Sequence, residues 1–239
     1  MSEATPRLSV VVPVFNEEDI LESAVRALTE KLDAAGWTYE LILAENGSTD
    51  RTAAMADALA RELPHLRVLH GDAPNYGRAL RNGIESARGE LVVCDEIDLG
   101  DLDFYRHAIA ELERGADLVV GSKRHPDSRD RRPLVRRAGT TVINGMLRVT
   151  LGFRGTDTHG PKAFRRARLL PTVSHCVVEH DLFASELVLR AGREGLDVRE
   201  LPLDLREIRP PSVGLVRRVP RVLRNRARLV VAIRLGGPP

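Results

Sequence analysis

Four short runs rich in β-branched and aliphatic residues, Leu8 to Val14, Tyr39 to Ala44, Leu66 to His70 and Leu91 to Asp95, are each separated by one stretch of helical periodicity. Strands alternating with single helices over short connections make a parallel sheet covered on both faces. The first helical stretch, Glu17 to Ala34, sets Ile20, Leu21, Ala24, Ala27, Leu28 and Leu32 at helix spacing. A second is capped by Asp50 and runs through Ala60, and a third spans Tyr76 to Ala87. Leu102 to Arg114 and Asp117 to Gly121 add another helix and strand. The expected fold class is α/β, a Rossmann-like three-layer sandwich with a mostly parallel central sheet.

From about Arg131 the pattern changes. Arg132-Pro133 opens a helix expected over Leu134 to Leu151, and Asp157 to Arg166 reads as a loop followed by a short strand. Asp181 to Ala191 is helical and Val198 to Leu203 a short strand. From Arg206 onward the chain carries nine arginines and a single acid, Glu207, although its net charge is only +2. Val216, Val219, Leu223 and Val230 fall apart from Arg217, Arg221, Arg224 and Arg228, which gives a basic amphipathic helix within Val213 to Leu235. Two units are expected: a main domain over residues 1–205 and a basic tail over 206–239. Such a tail suits an anionic membrane surface. With aromatic residues at 4%, stacking on nucleic acid is not expected.

With 43% hydrophobic and 29% charged residues, 239 in all, the chain is long enough for one large α/β domain with a full core. No apolar run approaches a bilayer-spanning length. The first residues, Met1 to Arg7, lack a hydrophobic signal region, so the expected location is cytoplasmic, peripherally associated with the inner face of the membrane. Cys94 and Cys176 lack metal-site spacing and are expected to be packed thiols.

Doubly wound sheets bind ligands where their strands end. At those ends stand Asn16, Glu17 and Glu18, then Glu45 to Asp50, then Gly71, Asp72 and Asn75, and finally Asp95, Glu96 and Asp98. Three carboxylates within four residues after a buried strand are costly unless a cation neutralises them. A divalent cation holding a phosphorylated ligand would do so. The plainer alternative is a solvated acidic turn in which Asp98 or Asp101 caps the next helix. Asn46 to Asp50 also reads as a turn plus cap, and Glu17-Glu18 as compensation of a helix dipole. It is the coincidence of all four strand ends that favours a nucleotide and a metal.

The segment Val10-Val11-Val12-Pro13-Val14-Phe15-Asn16-Glu17-Glu18 resembles the opening signature of family 2 glycosyltransferases, nucleotide-sugar enzymes of the GT-A fold. Glu45-Asn46-Gly47-Ser48-Thr49-Asp50 is similar to their Asp-Asp-Gly-Ser-x-Asp segment, and Glu96-Ile97-Asp98 sits where they carry Asp-x-Asp. Asn75 to Gly83, Gly121-Ser122-Lys123-Arg124, Asp157 to Arg166, Glu186 and Glu200-Leu201-Pro202 further resemble the polyprenyl-phosphate mannose and glucose synthases.

The resemblance implies roles. Pro13, Asn16, Glu17, Glu45, Asn46, Arg78 and Asp95 would line the nucleotide-sugar pocket. Glu96 and Asp98 would hold Mg²⁺ or Mn²⁺ against the diphosphate, Asp98 also serving catalysis. Arg124 and Arg137, or its neighbour Arg136, would hold the phosphate of a polyprenyl-phosphate acceptor; a solvated basic helix face is the alternative for the last two. The implied reaction is inverting hexosyl transfer from a GDP-mannose or UDP-glucose type donor. A lipid phosphate needs no general base, since the second pKa of a phosphate monoester is about 6. Two other readings stay open. One is transfer to a soluble hydroxyl acceptor, with Glu186 or Asp157 as base; the other is a nucleotide-sugar binding protein without catalysis. The chain departs from the family pattern at Glu45-Asn46, at the longer Glu96, at Gly100, at His159-Gly160-Pro161-Lys162 and at Ala184.

Overall fold

The computed structural model describes residues 5–130, 141, 145–205, 229–231 and 233. The strands are β1 (Leu8–Val14), β2 (Tyr39–Glu45), β3 (Leu66–His70), β4 (Leu91–Cys94), β5 (Leu118–Ser122), β6 (Arg129–Asp130), β7 (Lys162–Arg165), β8 (Val198–Pro202) and β9 (Asp204–Leu205). The helices are α1 (Leu21–Ala34), α2 (Thr52–Glu62), α3 (Tyr76–Ser86), α4 (Leu102–Glu113), α5 (Arg166–His175) and α6 (Phe183–Arg193). Seven strands form one sheet in the order β3-β2-β1-β4-β7-β5-β8, and β6 pairs with β9 apart from it. Only β7 runs against its neighbours in the large sheet.

The inner strands β1, β2, β4 and β5 are buried on both sides, which explains why they read as largely apolar runs. Val10, Val12 and Val14 point into one layer with α1, α2 and α4. Val11, Ile42 and Val92 point into the other with α3, α5 and α6. Each fully buried Val or Leu contributes roughly 1.5–3 kcal/mol relative to exposure. Gly83 lets α3 lie close on β1, because a Cβ there would collide with Val11 Cγ1.

The three-layer α/β sandwich expected from the sequence is present. Its details differ in three places. α1 begins at Leu21 rather than Glu17, since Glu17 to Ile20 form a turn tied to the loop after β2. α5 was not expected: Pro171 lies inside it and its apolar face is weak. β7 is the antiparallel strand wedged between β4 and β5, a direction no periodicity reports. The helix expected over 134–151 is described only at residues 141 and 145–151, which are helical.

Most of the expected basic helix over 213–235 lies outside the described residues. Residues 229–231 and 233 are helical, and Leu229 and Ile233 are buried in the same layer as Leu147, Leu151 and Phe153. Arg193 ties this end down by donating to the Ile233 carbonyl at 3.0 Å and the Leu151 carbonyl at 3.1 Å.

Candidate functional site

The chain crosses from one side of β1 to the other between β3 and β4, so the crevice outside the carboxyl ends of β1 and β4 is the switch point of the sheet. Two rims face each other there.

The first rim joins the loops after β1 and β2. Asn16 adopts a left-handed backbone, φ 53°. Its Oδ1 accepts the Thr49 amide at 2.8 Å, and its own amide donates to Ser48 Oγ at 3.0 Å. The Glu17 amide donates to Thr52 Oγ1 at 2.8 Å. Asp50 sits one residue outside the usual cap position of α2, accepting the Thr52 amide at 2.9 Å and the Glu18 amide at 3.3 Å. Gly47 turns the chain with φ 70°, and any Cβ there would meet the Ala73 backbone.

Glu45 ends β2 and Asn46 follows it, both buried. Glu45 Oε1 accepts the Ser48 amide at 2.6 Å, and Oε2 lies 3.4 Å from His70 Nδ1. Burial alone would raise the Glu45 pKa, but these partners outweigh it and hold the carboxyl below its ordinary range. Asp57 and Glu45 likewise outweigh burial at His70 and hold the imidazole above its ordinary value. Asn46 Oδ1 accepts the Asn75 amide at 2.6 Å. Asn75 in turn caps α3, accepting the Arg78 amide at 3.1 Å, and donates to Glu179 Oε2 at 2.7 Å. Arg78, exposed on α3, pairs with the same Glu179 at 3.1 Å. Pro13, half-buried, lies across from Ala44 in the β1–β2 register.

The second rim is the turn from β4 into α4. Asp101 caps α4, accepting the Asp103 and Phe104 amides at 3.0 and 3.1 Å. The capping alternative read from the sequence is therefore filled by Asp101 and leaves Asp98 out. Glu96 and Asp98 are exposed, and their carboxylates have no hydrogen-bond or ion-pair partner among the described residues. Asp95 differs from the expectation for it. It is buried, accepts the Tyr105 hydroxyl at 2.7 Å and the Glu96 amide at 2.8 Å, and turns into the core instead of toward the crevice. Burial pushes its pKa up to about 7 against the pull of those hydrogen bonds. Beside Asp98 opens a cleft of about 860 Å³ lined by Leu99, Leu102, Phe104, Pro161 and Leu203.

No group of three His, Cys, Asp or Glu side chains among the described residues forms a closed metal cage. Two exposed hard-oxygen ligands, Glu96 and Asp98, fit an ion of the Mg²⁺ or Mn²⁺ kind, which takes one or two carboxylates and completes its shell from phosphates and water.

Further along the edge, Arg124 follows β5, its amide donating to Ser122 Oγ at 3.1 Å and its guanidinium to Thr141 Oγ1 at 2.7 Å. Arg136 and Arg137 lie outside the described residues. Both acids that a hydroxyl acceptor would call on as base are engaged elsewhere. Glu186 is 0% exposed, accepts the Val177 and Val178 amides, and pairs with Arg190 at 2.8 Å. Asp157 is buried and accepts the Thr158, His159 and Lys123 amides. The two thiols are buried as expected, and burial holds Cys94 up to about 12.

Sequence reasoning missed three participants. Glu179 reaches Asn75 and Arg78 from about a hundred positions away, and nothing local marks it. Tyr105 looks like an ordinary apolar position of α4. Lys162, 3% exposed and donating to the Gly160 carbonyl at 2.8 Å, could have been noticed as a charge in phase with the inward Phe164.

The model of Glycosyl transferase family 2 matches residues 9–176, which takes in both rims. The chain belongs to glycosyl transferase family 2. Glycosyltransferase AglD of Haloferax volcanii is 32% identical over 216 residues, covering 88% of this chain and 35% of the relative. An undecaprenyl-phosphate 4-deoxy-4-formamido-L-arabinose transferase of an Enterobacter species is 28% identical over 201 residues, covering 82% of this chain and 59% of the relative. The chain thus spans between about a third and three-fifths of the length of these two relatives. Among solved structures, glucosyl-3-phosphoglycerate synthase from Mycobacterium tuberculosis, in complex with Mn²⁺, UDP-glucose and phosphoglyceric acid, shares the fold with a TM-score of 0.69 at 24% identity, covering 99% of this chain and 82% of that one. The sandwich is that of the GT-A glycosyltransferases. Among the described residues no helix is long and apolar enough to cross a membrane.

Proposed function

We propose that this family 2 glycosyltransferase moves a hexose from a nucleotide sugar to a polyprenyl phosphate at the cytoplasmic face of a membrane. The carrying observation is the pair of exposed carboxylates, Glu96 and Asp98, without a hydrogen-bond or ion-pair partner among the described residues, at the switch point of the sheet. On this reading Pro13, Asn16, Glu17, Glu45, Asn46 and Arg78 border the donor, and Glu96 and Asp98 hold a divalent cation of the Mg²⁺ or Mn²⁺ kind. When bound, that cation would stabilise the charge developing on the departing nucleoside diphosphate.

Two observations support a phosphate acceptor over a hydroxyl. An ionised phosphate oxygen is already a nucleophile near neutral pH, so no base is required. Glu186 and Asp157 are both buried in hydrogen bonds and hold no position from which to act as one. Arg124 orients the acceptor phosphate, with Arg137 as its expected companion. The printed name of the enterobacterial relative, an undecaprenyl-phosphate transferase, supports the same acceptor class. The nine arginines beyond residue 205 support a basic tail docking on anionic lipid, each contributing about 1 kcal/mol near the surface.

The test is transfer of label from GDP-mannose or UDP-glucose to undecaprenyl phosphate in detergent, with Mn²⁺ and with EDTA. Metal-dependent labelling of the lipid is expected. Labelling of a soluble hydroxyl acceptor with none of the lipid would replace this reading.

A further inference from the structure

The turn that carries Glu96 and Asp98 hangs on one buried polar contact. Asp95 and Tyr105 are 4% and 0% exposed, and the phenol donates to Asp95 Oδ2 at 2.7 Å. The other oxygen of the same carboxyl receives the Glu96 amide at 2.8 Å, while the Asp95 amide continues the sheet by donating to the Val11 carbonyl at 3.0 Å. Downstream, the Leu99 amide closes back on the Glu96 carbonyl at 3.1 Å, and Asp101 caps α4. Tyr105 lies in the first turns of that same helix, and its amide donates to the Asp101 carbonyl at 3.1 Å. The loop is therefore pinned at both ends to one helix, with the Glu96 and Asp98 side chains between the pins.

An apolar pair would fill this space without the cost of desolvating a carboxyl and a phenol. What a buried hydrogen bond adds over apolar packing is a fixed distance and direction. We infer that Tyr105 is a positioning residue: acting through Asp95, it fixes the β4–α4 turn so that Glu96 and Asp98 can together hold a divalent cation bound to a nucleoside diphosphate. The inference rests on the proposed reading of that carboxylate pair as a cation site. Groups that orient ligating side chains without touching the ion commonly set its affinity by 10-fold or more.

The experiment titrates the full chain with MnCl2 alone, and with GDP and UDP in the presence and absence of MnCl2, by calorimetry. The native protein is compared with Tyr105→Phe, Asp95→Asn and Asp95→Leu, each also melted thermally. Tyr105→Phe is expected to weaken Mn²⁺-dependent nucleotide binding about 10-fold, with metal-free nucleotide binding unmoved. Asp95→Asn keeps an acceptor for the phenol and is expected to lose less than Asp95→Leu. A merely structural hydroxyl would lower the melting temperature and leave that affinity split where it was. Native Mn²⁺ affinity in Tyr105→Phe overturns the inference, as does equal affinity in Asp95→Leu and Asp95→Asn should the tyrosine variant fail to fold. Absence of Mn²⁺-dependent nucleotide binding in the native chain is a different result: it removes the proposed cation site, and the positioning role with it.

Discussion

The two rims of the crevice are built on opposite plans. Around β1 and β2, the side chains of Asn16, Glu45, Asn46 and Asp50 hold backbone amides of their own and of the facing loops, so that this rim is shaped before any ligand arrives. In the β4–α4 turn the polar groups divide sharply: Asp95 and Asp101 hold the loop, and Glu96 and Asp98 hold nothing among the described residues. The first plan suits a group that must be read by shape and hydrogen bonds, such as a base and ribose. The second suits a cation, whose own charge supplies the missing partner. On the proposed reading the exposed carboxylates serve a cation, while the cap of α4 falls to Asp101.

The contrast breaks most visibly at Asp98. Asp98→Ala is expected to lower metal-dependent transfer by about 100-fold or more, measured as initial rate at saturating Mn²⁺. Because the side chain is exposed, thermal stability should stay within about 0.5 kcal/mol of native. A matching loss of stability would mean that the turn is structural after all.

The preformed rim should respond in the opposite sense. Glu45→Ala leaves the Ser48 amide without its acceptor, and about 2 kcal/mol of stability should go with it, a fall of roughly 4–8 °C in Tm. Differential scanning calorimetry separates this from any change in nucleotide affinity.

A dependence on pH sharpens the comparison further. Glu45, held below its ordinary value, contributes stability that is present above its unfolded pKa and is lost as pH falls through the lower folded one. Asp95 works the other way. Its folded pKa of about 7 lies above the unfolded value, so the folded chain binds the extra proton, and stability declines as pH rises from about 4 to about 7. Melts at about pH 5 and about pH 8 should show that decline in the native protein and a flatter profile in Asp95→Asn. An unchanged slope in the variant would assign it to other groups.

The first four strands were legible because β1, β2 and β4 are buried on both sides and each connection is short. The polar residues at their ends could be collected for the same reason: in a parallel sheet every strand delivers its next residues to one edge. What escaped the sequence are contacts made across the fold. β7 enters antiparallel between β4 and β5, and no local pattern reports strand direction. Pro171 hid α5. Asp95 looked like part of the acidic cluster because its separation from Glu96 and Asp98 depends on Tyr105, ten residues on and otherwise an ordinary core aromatic. Glu186 and Asp157 looked like candidate bases for the same reason; burial against the Val177, Val178, Thr158 and His159 amides is a tertiary fact. The basic tail is the reverse case, plain in composition but largely outside the described residues, with Leu229 and Ile233 packed in the core.

The most direct test of the central claim, that the Glu96–Asp98 turn is a cation site completed by a nucleoside diphosphate, is calorimetric titration of the native chain with GDP and with UDP, each with and without Mn²⁺. Binding of one nucleotide that tightens markedly when Mn²⁺ is present is expected. Binding that is the same with and without the metal, or no binding of either nucleotide by folded protein, would contradict it.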